Sequence, residues 1–373
     1  EKYCPTDAVN FDQKPEEVEV KVGSIIMTPG FKPFDPTPFD SYAYSQIPDV
    51  VTSLEYERLL ASNGPCMGHL KRPSDDTEPK KIAWLQCVGS RSNNKCDNGF
   101  CSSVCCMYAI KQALVTSEHI SGEAEQTVFY MDIRSHGKEF ERYYDGAKEK
   151  GVEFIRSRPH SFLPGKDNKG VVVEWMTEAG EMIKKDYDMV VMSIGLEAPG
   201  AAQEMAKTLD IELDKYNFAS CSSFEPVKSS REGVYVSGCF QSPKDIPQSV
   251  TEASCAAAGA AITLAESKGS LTKEKTYPAE RDVTAEEPRI GVFVCSCGIN
   301  IAGVVDVKAV AEYASTLPGV AFVDNNMFSC SSDTQEIIGE KIKENNLNRI
   351  VIAACTPRTH EPLFKDTLRE AGL

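Results

Sequence analysis

The segment KIAWLQCVGSRSNNKCDNGFCSSVCCMYAIKQALV, residues 81–115, runs from an apolar stretch through a cysteine-rich loop into an amphipathic stretch. Its apolar start, 81–86, predicts a β-strand, and its end, up to about residue 115, predicts an α-helix. The patterns that follow predict a strand at 127–131, a helix at 137–150, a strand at 152–156, a hairpin at 170–183 and a strand at 189–194. Strands and helices that alternate in this order are typical of an α/β nucleotide-binding domain with a parallel sheet.

Further elements flank this central domain. Upstream, residues 18–27 alternate like a strand and lead into a Thr-Pro-Gly turn. Downstream, the patterns predict a short helix near 200–209, a strand at 233–237 and an alanine-rich helix at 246–267. Residues 269–288 are rich in Lys, Glu, Thr and Pro, which predicts a linker. Beyond it, strands at 289–294 and 349–353 and helices at 307–316, 334–345 and 360–371 predict a second, smaller α/β module.

The composition excludes some classes of function. The chain has 373 residues, enough for two or three domains, and a formal net charge of −15, which argues against nucleic acid as a partner. No apolar run approaches the roughly 18 residues of a membrane-spanning helix. The 14 cysteines occur in local clusters, and we expect no signal peptide. This pattern favours reduced, metal-binding thiols in a cytoplasmic protein over a disulfide framework.

A dinucleotide-binding fold normally carries G-x-G-x-x-G after its first strand, where glycines let the backbone approach a pyrophosphate. No two glycines of this sequence are separated by a single residue, so the fingerprint is absent from the chain. The turn after 81–86 instead reads Cys-Val-Gly-Ser-Arg, and more cysteines follow. Thiols therefore stand where a phosphate loop would stand, and we expect no nicotinamide in this domain.

Cys87, Cys101, Cys105 and Cys106 are the candidate metal ligands of the central domain. Cys101 and Cys105 are four residues apart, so on a helix they project from one face, and Cys106 is turned by about 100° from its neighbour. With Cys87 at the end of the preceding strand, four thiolates can converge around a 4Fe-4S cluster, whose negative charge the helix start favours. Alternatives are zinc, a redox dithiol, packing as small apolar residues, and Cys96 as a ligand in place of Cys87.

The C-terminal module contains a second group of cysteines: Cys295, Cys297, Cys330 and Cys355. Two of them follow predicted strands and Cys330 precedes a predicted helix, so three are expected at the carboxyl edge of one sheet. This placement predicts a second iron–sulfur site, with unmetallated thiols as the alternative. At the start of the chain, Cys4 and the proline after it resemble the close of a ferredoxin motif, which predicts a further ligand.

Two stretches, 22–30 and 189–195, are predicted strands that end in a small residue and glycine, as in flavin disulfide reductases. The strand at 233–237 leads through a Pro-Lys-Asp-Ile turn to the alanine-rich helix, which resembles the second flavin-contact motif of the thioredoxin reductase-like fold. A helix start supplies oriented N–H groups and partial positive charge, which stabilise a reduced anionic flavin. The candidate FAD-binding residues are Gly30, Gly238, Cys239, Lys244, Asp245, Ile246 and Ser249.

Together these motifs resemble those of the family formed by the A subunits of heterodisulfide reductases. The resemblance rests on residues 82–91, 101–113 and 243–247, and on two C-terminal stretches, 297–303 and 354–361. It implies an α/β fold with thioredoxin reductase-like, doubly wound FAD/NAD(P)-type domains plus a small C-terminal α/β module. That module resembles the family's N-terminal domain but comes last here, so we expect a fragment of a tandem-fused homologue.

The resemblance also implies a division into domains. Residues 1–15 are expected to be the tail of a ferredoxin-like domain, and 16–80 with 195–270 the second half of an FAD-binding domain. Residues 81–194 are expected to form the nucleotide-binding-like domain with the iron–sulfur site. A linker at 271–288 and an incomplete module at 289–373 would follow.

The function implied is electron transfer through FAD and 4Fe-4S clusters, including flavin-based electron bifurcation, by an oxidoreductase. The implied partners are other heterodisulfide reductase-like subunits, ferredoxin, and an electron-donating hydrogenase, formate dehydrogenase or flavin oxidoreductase subunit. Two alternatives stay open: a non-catalytic iron–sulfur wiring or scaffold protein, and a nicotinamide-dependent disulfide reductase-like flavoprotein. The missing glycine fingerprint and the lack of a C-x-x-C dithiol argue against the latter.

Overall fold

A computed structural model describes residues 8–373 of the chain. These residues form two compact units: a large unit, Val20–Lys268, and a small unit that comprises residues 8–19 and Gly269–Leu373. Cys4 lies outside the described residues, and so does the first half of the predicted ferredoxin-like tail.

The large unit contains twelve of the described strands and five of the described α-helices. In chain order they are β1 (Ile25–Met27), β2 (Lys32–Pro33), β3 (Val50–Thr52), α1 (Ser53–Leu60), β4 (Lys81–Val88), α2 (Cys105–His119), β5 (Glu125–Tyr130), α3 (Phe140–Glu149), β6 (Glu153–Arg156), β7 (Ser161–Pro164), β8 (Val171–Met176), β9 (Met182–Tyr187), β10 (Met189–Ile194), β11 (Leu196–Glu197), α4 (Gly200–Thr208), β12 (Val234–Val236) and α5 (Ile246–Thr263).

A five-stranded parallel sheet in the order β3-β10-β4-β5-β6 forms the centre of the large unit. Its two middle strands, β4 and β10, are apolar along almost their whole length because both faces of the sheet are covered. Helices α1, α2 and α3 pack on one face, where Trp84 shares a buried cluster with Ala109 and Ile110. The antiparallel sheet β7-β8-β9 covers the other face through Phe162 and Trp175.

Two short strand pairs complete the large unit. Strand β1 pairs in parallel with β12, and β2 pairs antiparallel with β11. Because all strands of the five-stranded sheet run in the same direction, their carboxyl ends share one edge. The turns after β3, β4, β5 and β10 therefore meet there, and this edge carries the site described below.

The small unit is built around a three-stranded parallel sheet in the order β14-β13-β15. Its elements are β13 (Ile290–Cys295), α6 (Gly298–Ile301), α7 (Val307–Ser315), β14 (Val320–Asn326), α8 (Ser332–Glu344), β15 (Arg349–Ala353) and α9 (Pro357–Glu370). Part of the predicted linker contacts α9 rather than standing free, because the Tyr277 hydroxyl donates a 2.6 Å hydrogen bond to Asp366. No helix within residues 8–373 is long and apolar enough to cross a membrane.

The predicted α/β fold class, with parallel sheets, is confirmed. The predicted strand at 18–27 is largely wrong: only Ile25–Met27 is a strand. Val18, Val20 and Val22 are more than half exposed and pair with no strand in the described part of the chain. Without a neighbouring strand to form backbone hydrogen bonds, an alternating sequence alone does not form a β-strand. The sequence analysis also missed β3, α1, β7 and β14, which are mostly short or lack a clear period.

Candidate functional site

A 730 Å³ cavity lies at the carboxyl ends of the parallel strands in the large unit. Its walls come from the turns after β1, β3, β10 and β12 and from the first turns of α2 and α5. This volume is in the range of small-molecule and cofactor sites. The seven predicted FAD-binding residues all line it: Gly30, Gly238, Cys239, Lys244, Asp245, Ile246 and Ser249.

The turn between β12 and α5 is held by a buried ion pair. The Lys244 ammonium lies 2.6 Å from both carboxylate oxygens of Glu252 and donates to the Gln241 side chain at 2.6 Å, and its side chain is 3% exposed. Glu252 also accepts a 3.0 Å hydrogen bond from the backbone N–H of Gly238. The charge of Lys244 is therefore compensated by Glu252 and is not a free positive charge at the cavity wall.

Helix α5 begins at the cavity wall with a side-chain cap. The Asp245 carboxylate accepts a 2.9 Å hydrogen bond from the Gln248 N–H, and the Ser249 hydroxyl donates to the Asp245 carbonyl at 2.8 Å. Ile246, the first helical residue, is 79% exposed. The cap fixes where the helix starts, so the partial positive charge of an 18-residue helix is directed at the cavity.

Two glycines allow the backbone to approach the cavity closely. Gly30 has a φ of +76°, and a Cβ there would meet nothing within 4 Å. At Gly195, directly after β10, a Cβ would lie 2.5 Å from the Ser90 hydroxyl and 2.6 Å from the Ser102 hydroxyl. These two serines fill the space that a side chain would take, so only glycine fits at Gly195 without displacing them.

A β-bulge at the end of β4 sets the position of Cys87. Leu85 pairs with Met192 and Val88 pairs with Ile194, so Gln86 and Cys87 together lie opposite Ser193 alone. The backbone of Cys87 has a φ of +62°, in the left-handed region. A bulge re-aims side chains at a strand end, and here it delivers Cys87 to the same sheet edge as the start of α2.

The thiols of Cys87, Cys101, Cys105 and Cys106 are electrostatic neighbours at this edge. Three of them are 4% exposed or less, and Cys101 is partly buried. Burial raises the pKa of the Cys105 thiol well above its usual value, and the other three thiols raise it further. Burial also raises the pKa of Cys106 to about 11, with Cys87 and Cys101 among the further causes. A buried thiol with a raised pKa forms a thiolate only when a nearby cation compensates the negative charge. This property suits a set of thiols that bind metal.

Three arginines and the Asp132 carboxylate lie near the thiols, and Asp132 contributes to the raised pKa of Cys106. Burial raises the pKa of the Cys87 thiol, and the positive charge of Arg91 opposes this increase. The Arg91 guanidinium also donates a 2.6 Å hydrogen bond to the Asp132 carboxylate. Arg134 donates to the same carboxylate at 3.3 Å, and Arg158 donates to the Cys87 carbonyl at 3.5 Å. Helix α2 begins at Cys105 without a side-chain cap, so its first N–H groups remain for an anionic group.

The described residues, 8–373, contain no group of three or more His, Cys, Asp or Glu side chains that could hold a single metal ion. The thirteen cysteines in this range form no disulfide. Two buried side chains beside Cys87 have polar atoms without a hydrogen-bond partner: the amide of Gln86 and the hydroxyl of Ser193. Buried polar atoms are nearly always satisfied, so these atoms indicate that a polar group belongs at this edge.

In the small unit, the structure places Cys295 at the end of β13, where its sulfur accepts a 3.4 Å hydrogen bond from the Ser329 N–H. Cys297 occupies the N-cap position of the short α6 without a side-chain cap hydrogen bond, and Cys330 and Cys355 are exposed. Cys355 lines a separate 370 Å³ cavity at the start of α9, together with His360. The structure thus brings these cysteines to one end of the small sheet, and their role as ligands stays a prediction.

The sequence analysis missed several residues of the site in the large unit. Arg134 and His136 line the cavity from the turn after β5, where no motif marks them. Glu252 lies within the alanine-rich helix, where the sequence shows nothing of its pairing with Lys244.

The fold and the site define an α/β protein with a cofactor-sized cavity beside a cysteine-rich sheet edge. The sequence matches no protein-family model. It is 39% identical over 267 residues to the A subunit of the H(2):CoB-CoM heterodisulfide,ferredoxin reductase of Methanothermobacter thermautotrophicus, covering 71% of this chain and 40% of that protein. It is 41% identical over 264 residues to the A subunit of the H(2)/formate:CoB-CoM heterodisulfide,ferredoxin reductase of Methanococcus maripaludis, covering 70% of this chain and 40% of that protein.

A third relative, one of the iron-sulfur A subunits of the CoB–CoM heterodisulfide reductase of Methanopyrus kandleri, is 40% identical over 263 residues, covering 69% of this chain and 40% of the relative. The chain belongs to this family of heterodisulfide reductase A subunits, as its motifs predicted. It spans about 40% of the length of these relatives. The relatives' names describe them as reductase subunits, and one of the names includes iron–sulfur.

The solved structures that resemble the chain include two thioredoxin reductases. That of Lactococcus lactis has a TM-score of 0.42 and 16% identity and covers 65% of this chain and 66% of its own. That of T. acidophilum has a TM-score of 0.41 and 15% identity and covers 65% of each chain.

Proposed function

We propose that this chain is an electron-transfer part of a heterodisulfide reductase-like complex, with FAD in the large cavity and a 4Fe-4S cluster held by Cys87, Cys101, Cys105 and Cys106. One observation carries the proposal: the first turn of α2 lines the cavity and also carries two of the four candidate cysteine ligands. Val104 and Met107 line the cavity, and the two residues between them, Cys105 and Cys106, belong to the thiol group. A cavity and a thiol group that share one helical turn are suited to passing electrons between them.

A bound flavin exchanges a hydride or electron pair with a donor and single electrons with an iron–sulfur group. The chain's own residues supply the surroundings. Gly30 and Gly238 leave backbone space at the cavity wall, and the Lys244–Glu252 pair fixes the turn that carries Gly238. The capped start of α5 supplies partial positive charge, which stabilises negative charge on a ring beside it.

The surroundings of the thiols suit a buried redox group. Cys87, Cys105 and Cys106 are shielded from water, and shielding keeps inorganic sulfide from hydrolysis and lowers the local dielectric. Arg91 and Arg158 offset the negative charge that four thiolates bring. The uncapped N–H groups of α2 act in the same direction.

The further ligands belong to the proposal as well. Cys295, Cys297, Cys330 and Cys355 are proposed to hold a second iron–sulfur group in the small unit. The support is that Cys295 is the last residue of β13 and Cys355 follows β15 by two residues. Cys4 remains a predicted ligand, as part of a ferredoxin-like motif. The predicted domain boundaries also remain predictions.

The relatives' names support part of the partner set that the motifs imply. These name heterodisulfide, ferredoxin, H(2) and formate, and one Methanosarcina acetivorans relative is named ferredoxin/F(420)H(2)-dependent. We therefore propose that the partners are other heterodisulfide reductase-like subunits, ferredoxin and an electron-donating hydrogenase, formate dehydrogenase or flavin oxidoreductase subunit. The proposal includes bifurcation of the flavin's electrons between two acceptors. A cytoplasmic location is supported by the free thiols of the described cysteines.

The test is an anaerobic purification with analysis of flavin, iron and sulfide. We expect FAD and at least four irons with matching sulfide. The change Cys105→Ser should remove one cluster's iron and electron paramagnetic resonance signal. Cys66→Ser should not, because its loop contacts the opposite end of α2, where the Gly68 carbonyl lies 2.6 Å from the His119 ring.

A colourless, zinc-loaded protein would contradict the proposal. Iron and sulfide without flavin would instead favour the wiring or scaffold protein.

A further inference from the structure

The amide of Gln86 is buried without any partner. The side chain is 2% exposed, and neither its nitrogen nor its oxygen forms a hydrogen bond. Burying an amide without hydrogen bonds is unfavourable, so an apolar residue of the same size would be more stable there. A glutamine at this position is therefore expected to bind something that the polypeptide alone does not supply.

Strand and helix geometry indicate what Gln86 faces. Alternation along β4 puts it on the same sheet face as Trp84, which packs against Ala109 and Ile110 of α2. Moving two residues from Trp84 toward the carboxyl edge reaches Gln86, a step of about 6.6 Å. Moving one turn of about 5.4 Å from Ala109 and Ile110 toward the start of α2 reaches Cys105 and Cys106, which lie on the helix's buried face.

Ser193, on the neighbouring strand β10, also has a buried polar group without a hydrogen-bond partner. It is fully buried, its hydroxyl has no partner, and it lies directly opposite the bulge formed by Gln86 and Cys87. Alternation along β10 places it on the face of Met189 and Val191, which is again the face that packs against α2. Two orphaned donors from adjacent strands thus lie at the level of the cluster cysteines.

We propose that the Gln86 amide and the Ser193 hydroxyl donate hydrogen bonds to the sulfur atoms of the iron–sulfur group, and so set its reduction potential. This inference rests on the proposed function, because it requires a cluster between the four thiols. Hydrogen bonds to sulfur stabilise the more negative, reduced state and raise the potential. In this scheme Gln86 and Ser193 contact the cofactor's sulfurs directly but are not iron ligands.

The test compares the purified holoprotein with Gln86→Leu and Ser193→Ala. Each change should lower the cluster's midpoint potential in an anaerobic redox titration. We expect a change of about tenfold in the reduction equilibrium for Gln86→Leu, which is about 59 mV for one electron. Side-chain ¹⁵N-glutamine labelling adds a direct readout: the reduced cluster should show a ¹⁵N hyperfine coupling that is lost in Gln86→Leu.

Gln126→Leu is the matched control. Gln126 is 4% exposed and pairs with Ile82 on the same sheet face, but at the amino end of the sheet, where its amide nitrogen donates to Ser117 and its amide oxygen has no partner. The Gln126→Leu variant should change neither the midpoint potential of the cluster nor the ¹⁵N hyperfine signal. An unchanged potential and coupling in Gln86→Leu, with the cluster present, would overturn this inference alone, whereas a parent protein without iron and sulfide would overturn the proposed function itself.

Discussion

The change Glu252→Ala should destabilise the large unit and loosen the cavity turn. Glu252 neutralises Lys244, whose side chain is 3% exposed, and both carboxylate oxygens lie 2.6 Å from the ammonium. The substitution leaves a buried cation without its partner and the Gly238 N–H without its acceptor. Removing one partner of a buried pair costs about 3–5 kcal/mol.

We expect the low end of that range, about 3 kcal/mol, because the Glu252 side chain is 18% exposed and water can partly replace it. The exposed pair Lys228–Glu225 serves as the control: its atoms are 3.2 Å apart and its side chains are 49% and 59% exposed. Such a surface pair contributes about 0–1 kcal/mol, so Glu225→Ala should have little effect.

Urea unfolding followed by tryptophan fluorescence measures both effects. The two tryptophans, Trp84 and Trp175, are buried in the large unit and report on it selectively. The double variant Lys244→Met with Glu252→Leu should recover most of the lost stability, since an apolar pair replaces the charges. A Glu252→Ala variant within about 1 kcal/mol of the parent, or a double variant no better than Glu252→Ala, would refute the reasoning.

Two further predictions concern the sheet edge and acid stability. Gly195→Ala should lower stability by about 1–3 kcal/mol and reduce flavin content, because the new methyl group overlaps two serine hydroxyls, whereas Gly200→Ala, with nothing within 4 Å, should not. Hydrogen bonding from Arg72 holds the pKa of the Asp75 carboxyl well below its usual range. The pair therefore stabilises the folded state above the unfolded-state pKa of about 4, and this stabilisation is lost as the pH falls below it. Asp75→Asn should therefore flatten the pH dependence of the urea midpoint between about pH 5 and 2.

Each of these has a clear contrary result. Equal thermal midpoints for Gly195→Ala and Gly200→Ala would show that the serine hydroxyls yield easily to a side chain. A pH dependence in Asp75→Asn as steep as in the parent would show that other carboxyls, such as Asp188 beside Arg72, dominate acid sensitivity.

The long apolar and amphipathic elements were predictable from the sequence because their periodicity follows directly from packing. Strand β10 was predicted as 189–194 and strand β15 as 349–353, and both have these bounds in the structure. Strand β3 has only three residues, Val50–Thr52, which is too few to show a period. Strand β14, Val320–Asn326, begins with four apolar residues and ends in Asp and Asn, and an apolar run this short does not distinguish a strand from a buried helix segment.

The cavity residues were predictable where they form motifs, and not where tertiary contacts create them. Gly238, Lys244 and Asp245 are close together in a recognisable turn, and the structure places all three at the cavity. Glu252 and Ser193 gain their significance only from what lies opposite them in space. The β4 bulge that sets Cys87 was also invisible in sequence, because a bulge is a property of two paired strands.

X-ray anomalous scattering at the iron absorption edge, from anaerobically grown crystals of the protein, tests the cluster assignment directly. We expect a strong iron peak at the carboxyl edge of the five-stranded sheet, bounded by the sulfur atoms of Cys87, Cys101, Cys105 and Cys106. Two results would contradict this assignment. One is an anomalous peak at the zinc absorption edge in that position, and the other is no iron peak at this end of the sheet in crystals whose iron lies elsewhere.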